Sequence, residues 1–152
     1  MDITINTSEL YFDIRNKSHL QAASIQDVDL RYSIEAGSEK KAEIDRCIAE
    51  AEAKVLLMCS RFLSSTTEAN ANNNTLPTAY TYSFTANSRR LGNKGDAIAK
   101  TIHSAIVSMA LSKFYVSVNM IDMAKSEELV AGNAVALLEK MLNEKQPPVL
   151  PE

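Results

Sequence analysis

Two histidines, His19 and His103, and two cysteines, Cys47 and Cys59, carry most of what this chain offers to nucleophilic or metal chemistry. A zinc site draws nitrogen and sulfur ligands onto one point, usually starting from a closely spaced pair. No two of these four residues show such a spacing, so a metal site would need carboxylates or cysteines brought from afar. His103 beside Ser104, or either cysteine with either histidine, supplies the residue types of a nucleophile and its base. Neighbouring helix positions point to different faces, however, so a histidine satisfied on its helix is the better reading. Cys47 and Cys59 fall in one predicted helix, about 18 Å of rise apart, which forbids a bridge between them. Both read as small core fillers. No catalytic residue, metal site or cofactor is expected.

Two further constellations invite a binding role. Arg90-Leu91-Gly92-Asn93-Lys94-Gly95 places two glycines just before a helix start, without the spacing of a Walker loop. The plain reading is a turn and capping segment. The sharper one makes Arg89, Arg90 and Lys94 a small basic loop for nucleic-acid phosphate or a neighbour's acidic side chains. In the segment 79–85, Tyr80, Tyr82 and Phe84 alternate with small polar residues, the period of a half-buried strand with one aromatic face. Base stacking on such a face normally comes with interleaved basic residues, and here Thr81, Ser83 and Thr85 fill those places. Core packing or pairing with another subunit is favoured.

The elements that position these residues read mainly as helix. Residues 1–6 alternate as a short strand or extended arm. Asn6 or Thr7 then caps a helix running to about Ser24, with Leu10, Phe12 and Ile14 turned inward. Residues 25–37 mix acidic residues, Arg31 and Gly37 with isolated apolar ones and read as a connection. Ser38 is the predicted N-cap of the clearest helix, 39–63, where Ile44, Cys47, Ile48, Ala51, Val55, Met58, Cys59 and Phe62 recur at spacings of three and four. Residues 64–78 are rich in Ser, Thr and Asn and read as a polar loop. The strand at 79–85 needs a partner, from residues 1–5 or from another copy. From Asp96 a helix follows that is apolar over most of its circumference and is therefore expected at the centre. Ser126 with Glu127 and Glu128 looks like the start of a last helix, whose Leu129, Val130, Ala134, Leu137, Leu138 and Met141 form its apolar side. Residues 146–152 make an extended, proline-bearing tail.

A chain of 152 residues lies within the usual one-domain range. The expected fold is mainly α: a bundle of about four helices with a short strand or hairpin and extended termini. Hydrophobic residues at 45% and charged ones at 23%, with four Gly and four Pro, match a folded domain rather than a disordered or fibrous one. A net charge of −3 gives no overall field toward nucleic acid or an anionic membrane, so any such contact is local. The apolar run at 105–111 is far short of the roughly 20 residues a membrane span needs. The polar start at Met1-Asp2-Ile3-Thr4 is unlike a signal peptide, so synthesis in the cytoplasm is expected.

Two segments, taken in order, resemble the head-tail connector (adaptor) proteins of tailed bacteriophages. Residues 42–55, Ala-Glu-Ile-Asp-Arg-Cys-Ile-Ala-Glu-Ala-Glu-Ala-Lys-Val, continuing to Arg61-Phe62-Leu63, are similar to that family's early amphipathic helix. Residues 98–115 are similar to its long central helix, with the aromatic pair Phe114-Tyr115 near the end. The longer N-terminal region, 1–37, and the helix from Ser126 depart from the family pattern. The resemblance implies a structural virion protein in the neck. Copies of the chain, about a dozen in a closed ring, would dock on the portal, extend the channel for DNA and offer a surface to further neck or tail proteins. On that reading Tyr80, Tyr82 and Phe84 are candidate subunit or portal contacts. Pro147, Pro148 and Leu150 of the tail are candidates for docking. Arg89, Arg90 and Lys94 are candidates for the channel side, where contact with DNA would be non-specific. The alternative from the residues is a non-catalytic, helical partner-binding or regulatory module acting as monomer or dimer.

Overall fold

The structure, a computed structural model, describes residues 1–65, 76–85 and 94–144. Among these the order is β1 (Asp2–Asn6), α1 (Thr7–Ala22), α2 (Val28–Ile34), α3 (Lys41–Cys59), β2 (Leu63–Ser65), β3 (Ala79–Phe84), α4 (Gly95–Ser117) and α5 (Ile121–Asn143). Single 3-10 turns at Ser38–Lys40 and Ser60–Phe62 bracket α3. The fold is mainly helical with a small antiparallel sheet, as the hydrophobic periods predict.

The helix expected to be apolar all round is α4, and it is the hub. Ile98, Ile102, Ala105, Ile106, Leu111 and Phe114 are fully buried along it. α5 folds back against α4, and α3 and α1 pack on its remaining sides. α1 runs parallel to α4, since Asp13 meets His103 and Gln21 meets Tyr115. Ile44, Ile48, Val55 and Cys59 complete the core from α3, Leu10 and Ile14 from α1, and Leu138 and Leu142 from α5.

The aromatic strand finds both neighbours within its own chain. β3 is the middle of the sheet, with β1 and β2 antiparallel on either side. The register sets Ile3 opposite Tyr82 and Ile5 opposite Tyr80, so the apolar face of β1 joins the aromatic face of β3. Residues 1–6, expected as a strand or a free arm, are therefore mostly an edge strand. On the other side Leu63 pairs with Phe84, with a bulge before Ser65. Ser64 and Ser65, assigned above to the polar loop, thus belong to β2, and residues 66–75 of that loop lie outside the described residues.

Three expectations are corrected by local hydrogen bonding. The connection at 25–37 contains α2, because Asp27 caps it: Oδ1 accepts from the backbone amides of Asp29 and Leu30 at 3.0 and 3.3 Å. Its C-terminal end is tied down by Lys40, whose Nζ donates to the carbonyls of Tyr32, Ser33 and Glu35 at 2.7 to 2.8 Å. Ser38 accordingly opens a 3-10 turn rather than capping α3, which begins at Lys41. The last helix begins at Ile121, not near Ser126. Asn119, at φ 62°, stops α4 in the left-handed conformation. The Met120 amide donates to the Tyr115 carbonyl at 2.8 Å and the Asn119 amide to that of Val116 at 3.1 Å, a Schellman motif closed by Asn instead of Gly.

Candidate interaction surfaces

Of the aromatic triplet offered for subunit or portal contact, two members are consumed by the core. Tyr82 is 1% exposed and Phe84 2%, with rings stacked at 6.5 Å. Alternation turns both toward the helices, and the flanking strands leave them no route to a partner. Tyr80, on the same face, is half-buried. Burial and the nearby Glu52 and Asp45 carboxylates push its hydroxyl up to about 12, so it stays protonated.

The sheet's polar anchor is Glu52. Its carboxylate, 6% exposed, accepts from the Tyr82 hydroxyl at 3.0 Å. Desolvation raises the Glu52 pKa, and the Tyr82 bond opposes that rise only in part. Desolvation and Glu52 together hold Tyr82 far above the usual phenol range. The Cys59 thiol is pushed up to about 11 by burial, with Glu52 adding to it, and burial likewise raises Cys47. Both cysteines are core residues and free thiols. A second buried carboxylate, Glu127 on α5, accepts from Lys17 at 3.1 Å and Gln21 at 2.9 Å on α1. By sequence Glu127 reads as a helix-start charge. Its spacing of three from Ala124 and four from Ala131, both buried, marks it as inward-facing.

Each histidine faces a carboxylate: His103 Nε2 lies 2.5 Å from Asp13 Oδ2, and His19 Nδ1 lies 3.3 Å from Glu35 Oε1. Among the described residues no group of three or more His, Cys, Asp or Glu converges as a metal set, and no helix is long and apolar enough to cross a membrane. Of the basic trio, Arg89 and Arg90 lie outside the described residues. Lys94 meets an acidic side chain of its own chain, Glu144 at the end of α5, at 2.9 Å. That bond holds the Glu144 carboxyl below its usual range. Pro147, Pro148 and Leu150 also lie outside the described residues.

What the helical pattern missed is how much apolar surface faces outward. Phe12, expected inward, is 63% exposed on α1, Val28 71% on α2, Leu57 74% on α3 and Leu129 68% on α5. Leu20, Tyr32 and Leu137 are also more than half exposed. On α5 the apolar residues form two stripes. Ala124, Ala131, Leu138 and Met141 are buried, whereas Val130 and Leu137 lie exposed along the edge of that face beside Met141 and Leu129 points away from it. The pattern at Leu129 and Leu137 meets the helical period, but nothing in one sequence says which of two stripes a core will take. Beside Phe12 an open groove of about 510 Å³ runs along α1 to the turn at Ala36 and Gly37, with Tyr11, Arg15, Asn16 and His19 in its walls.

Comparison with protein families, curated proteins and solved structures finds no match.

Proposed function

We propose that this chain is a structural, non-catalytic subunit of a tailed-bacteriophage neck, forming a ring between portal and tail that extends the DNA channel. The observation that carries the proposal is the distribution of exposed large apolar side chains. Phe12 and Leu20 on α1, Leu57 on α3, and Leu129 and Leu137 on α5 lie on the outward sides of three helices packed around α4. Isolated surface leucines need no explanation, but apolar surface on several separate helices marks several contact faces. A ring subunit needs such a set. Its lateral contacts are heterologous, so each copy presents two different patches, and its two ends meet the portal and the next neck protein. The resemblance of residues 42–63 and 98–115 to connector helices agrees with this, since residues 42–59 and 98–115 are helical here and form much of the α3 and α4 core.

Native mass over a range of concentrations, alone and with a portal ring, tests the reading. A closed oligomer of about a dozen copies, formed alone or on the portal, is the expected outcome. A monomer or dimer that ignores the portal overturns it in favour of a helical partner-binding module.

A further inference from the structure

The α1 groove has the chemistry of a proline-peptide site, and the chain carries such a peptide. Its floor and wall are aromatic: the Arg15 guanidinium lies 5.5 Å from the centre of the Tyr11 ring, and Phe12 stands open beside them. Ser8, Arg15 and Asn16 supply donors along the same side. Proline lacks an N–H, and an extended polyproline conformation makes no internal hydrogen bonds, so a proline-rich segment offers carbonyl acceptors to a donor-lined aromatic groove. Residues 147–152 read Pro-Pro-Val-Leu-Pro-Glu. From the first to the last of these six residues that conformation spans about 15 Å, and α1 rises about 16 Å from Ser8 to His19. The two lengths match. One charge pairing is available: Glu35 in the groove wall faces His19, Arg15 is a groove cation without a carboxylate partner among the described residues, and Glu152 follows Pro151 in the segment.

The occupant's own groove is badly placed for it. α5 meets α1 through Glu127 with Lys17 and Gln21. At about 100° per residue, Ser8, Phe12, Arg15 and Asn16 lie on the opposite flank of α1 from Lys17. α5, which leads into the tail, thus packs on the flank of α1 away from the groove.

We propose that residues 147–152 of one copy seat in the α1 groove of the next copy, with Glu152 on Arg15. This rests on the ring reading above and supplies one of its two-patch lateral contacts, tail on one side and groove on the other.

The test uses full-length chains and a charge swap, read by native mass and light scattering, with and without portal. Arg15→Glu and Glu152→Arg each alone set like charges against each other, and each is expected to weaken self-association by about tenfold. An equal mixture of the two variants is expected to associate like wild type, because the acidic groove of each R15E chain then finds the basic tail of an E152R chain. Within one chain neither variant can repair itself. Phe12→Ser, at an exposed position, is expected to weaken association while circular dichroism stays native. Single variants that associate like wild type, or a mixture as weak as its components, overturn the inference. Should the variants ring the portal as wild type does, the inference fails and the connector reading stands. Should the mixture rescue association in a protein that ignores the portal, the connector reading fails and the tail contact stands. A wild-type chain that stays monomeric with and without portal overturns both.

Discussion

Glu52 on α3 and Tyr82 on β3 pair inside the core. Desolvation raises the Glu52 pKa, so the folded chain holds that proton more tightly than the unfolded chain does. The stability this gives is fully present below the unfolded carboxylate range and is lost as pH rises through the folded value. Urea melts at about pH 5 and about pH 8 should therefore show wild type losing stability at the higher pH through this group. Glu52→Gln keeps an acceptor for the Tyr82 hydroxyl and should flatten that loss, whereas Glu52→Ala leaves the hydroxyl unpaired and should cost about 1 to 3 kcal/mol. The cysteines supply a second prediction. With Cys59 raised to about 11 and both side chains in the core, thiol reagents near pH 8 should modify the folded chain on the order of a hundredfold more slowly than the denatured one. Rapid labelling of both thiols in the native state would show that the α3 core is open.

Among the elements, the turn between α4 and α5 shows what a sequence conceals. Asn119 fills the place usually left to glycine, and nothing in Val118-Asn119-Met120 announces a helix stop as plainly as Ser126-Glu127-Glu128 suggests a start. Asn119→Gly should leave thermal stability unchanged or raised. Asn119→Val should lower it by about 1 to 2 kcal/mol, because a β-branched residue does not accept positive φ. A valine variant that melts like wild type would mean that α4 ends by some other device. α2 escapes a reading by pattern for a related reason. Seven residues carry too short a period to reveal a helix, and the decisive features are Asp27 as cap and Lys40 closing the far end from across a turn. The long helices are legible because α3 and α4 repeat their apolar residues over five or more turns.

For the molecule as a unit, the outward apolar residues matter more than any cluster of polar ones. Paired substitutions at Leu129 and Leu137 to serine remove a stripe that the core does not use. Their melting temperature should stay within the effect of about 0.5 kcal/mol expected at a surface, while assembly alone or on the portal weakens by about tenfold or more. A protein that loses stability instead, with assembly intact, would place that stripe in the fold rather than at an interface. The aromatic face of β3 teaches the converse lesson. By their period Tyr80, Tyr82 and Phe84 read as core packing or as pairing with another copy, because a lone strand must be paired; the structure buries Tyr82 and Phe84 and pairs the strand inside the chain with β1 and β2.

Local pattern was enough to establish the helical class, the central place of the helix after Asp96, the strand period at 79–85 and the burial of both cysteines. Each of these follows from periodicity or residue type, which a chain carries whether or not it is folded. Packing in three dimensions was needed to settle which strands pair, which stripe of α5 faces the core, and that Glu52 and Glu127 are buried while Phe12 and Leu57 are not. Those choices depend on competition among surfaces far apart in the chain for one shared interior, and the winner is set by how α1, α3 and α5 fit together around α4.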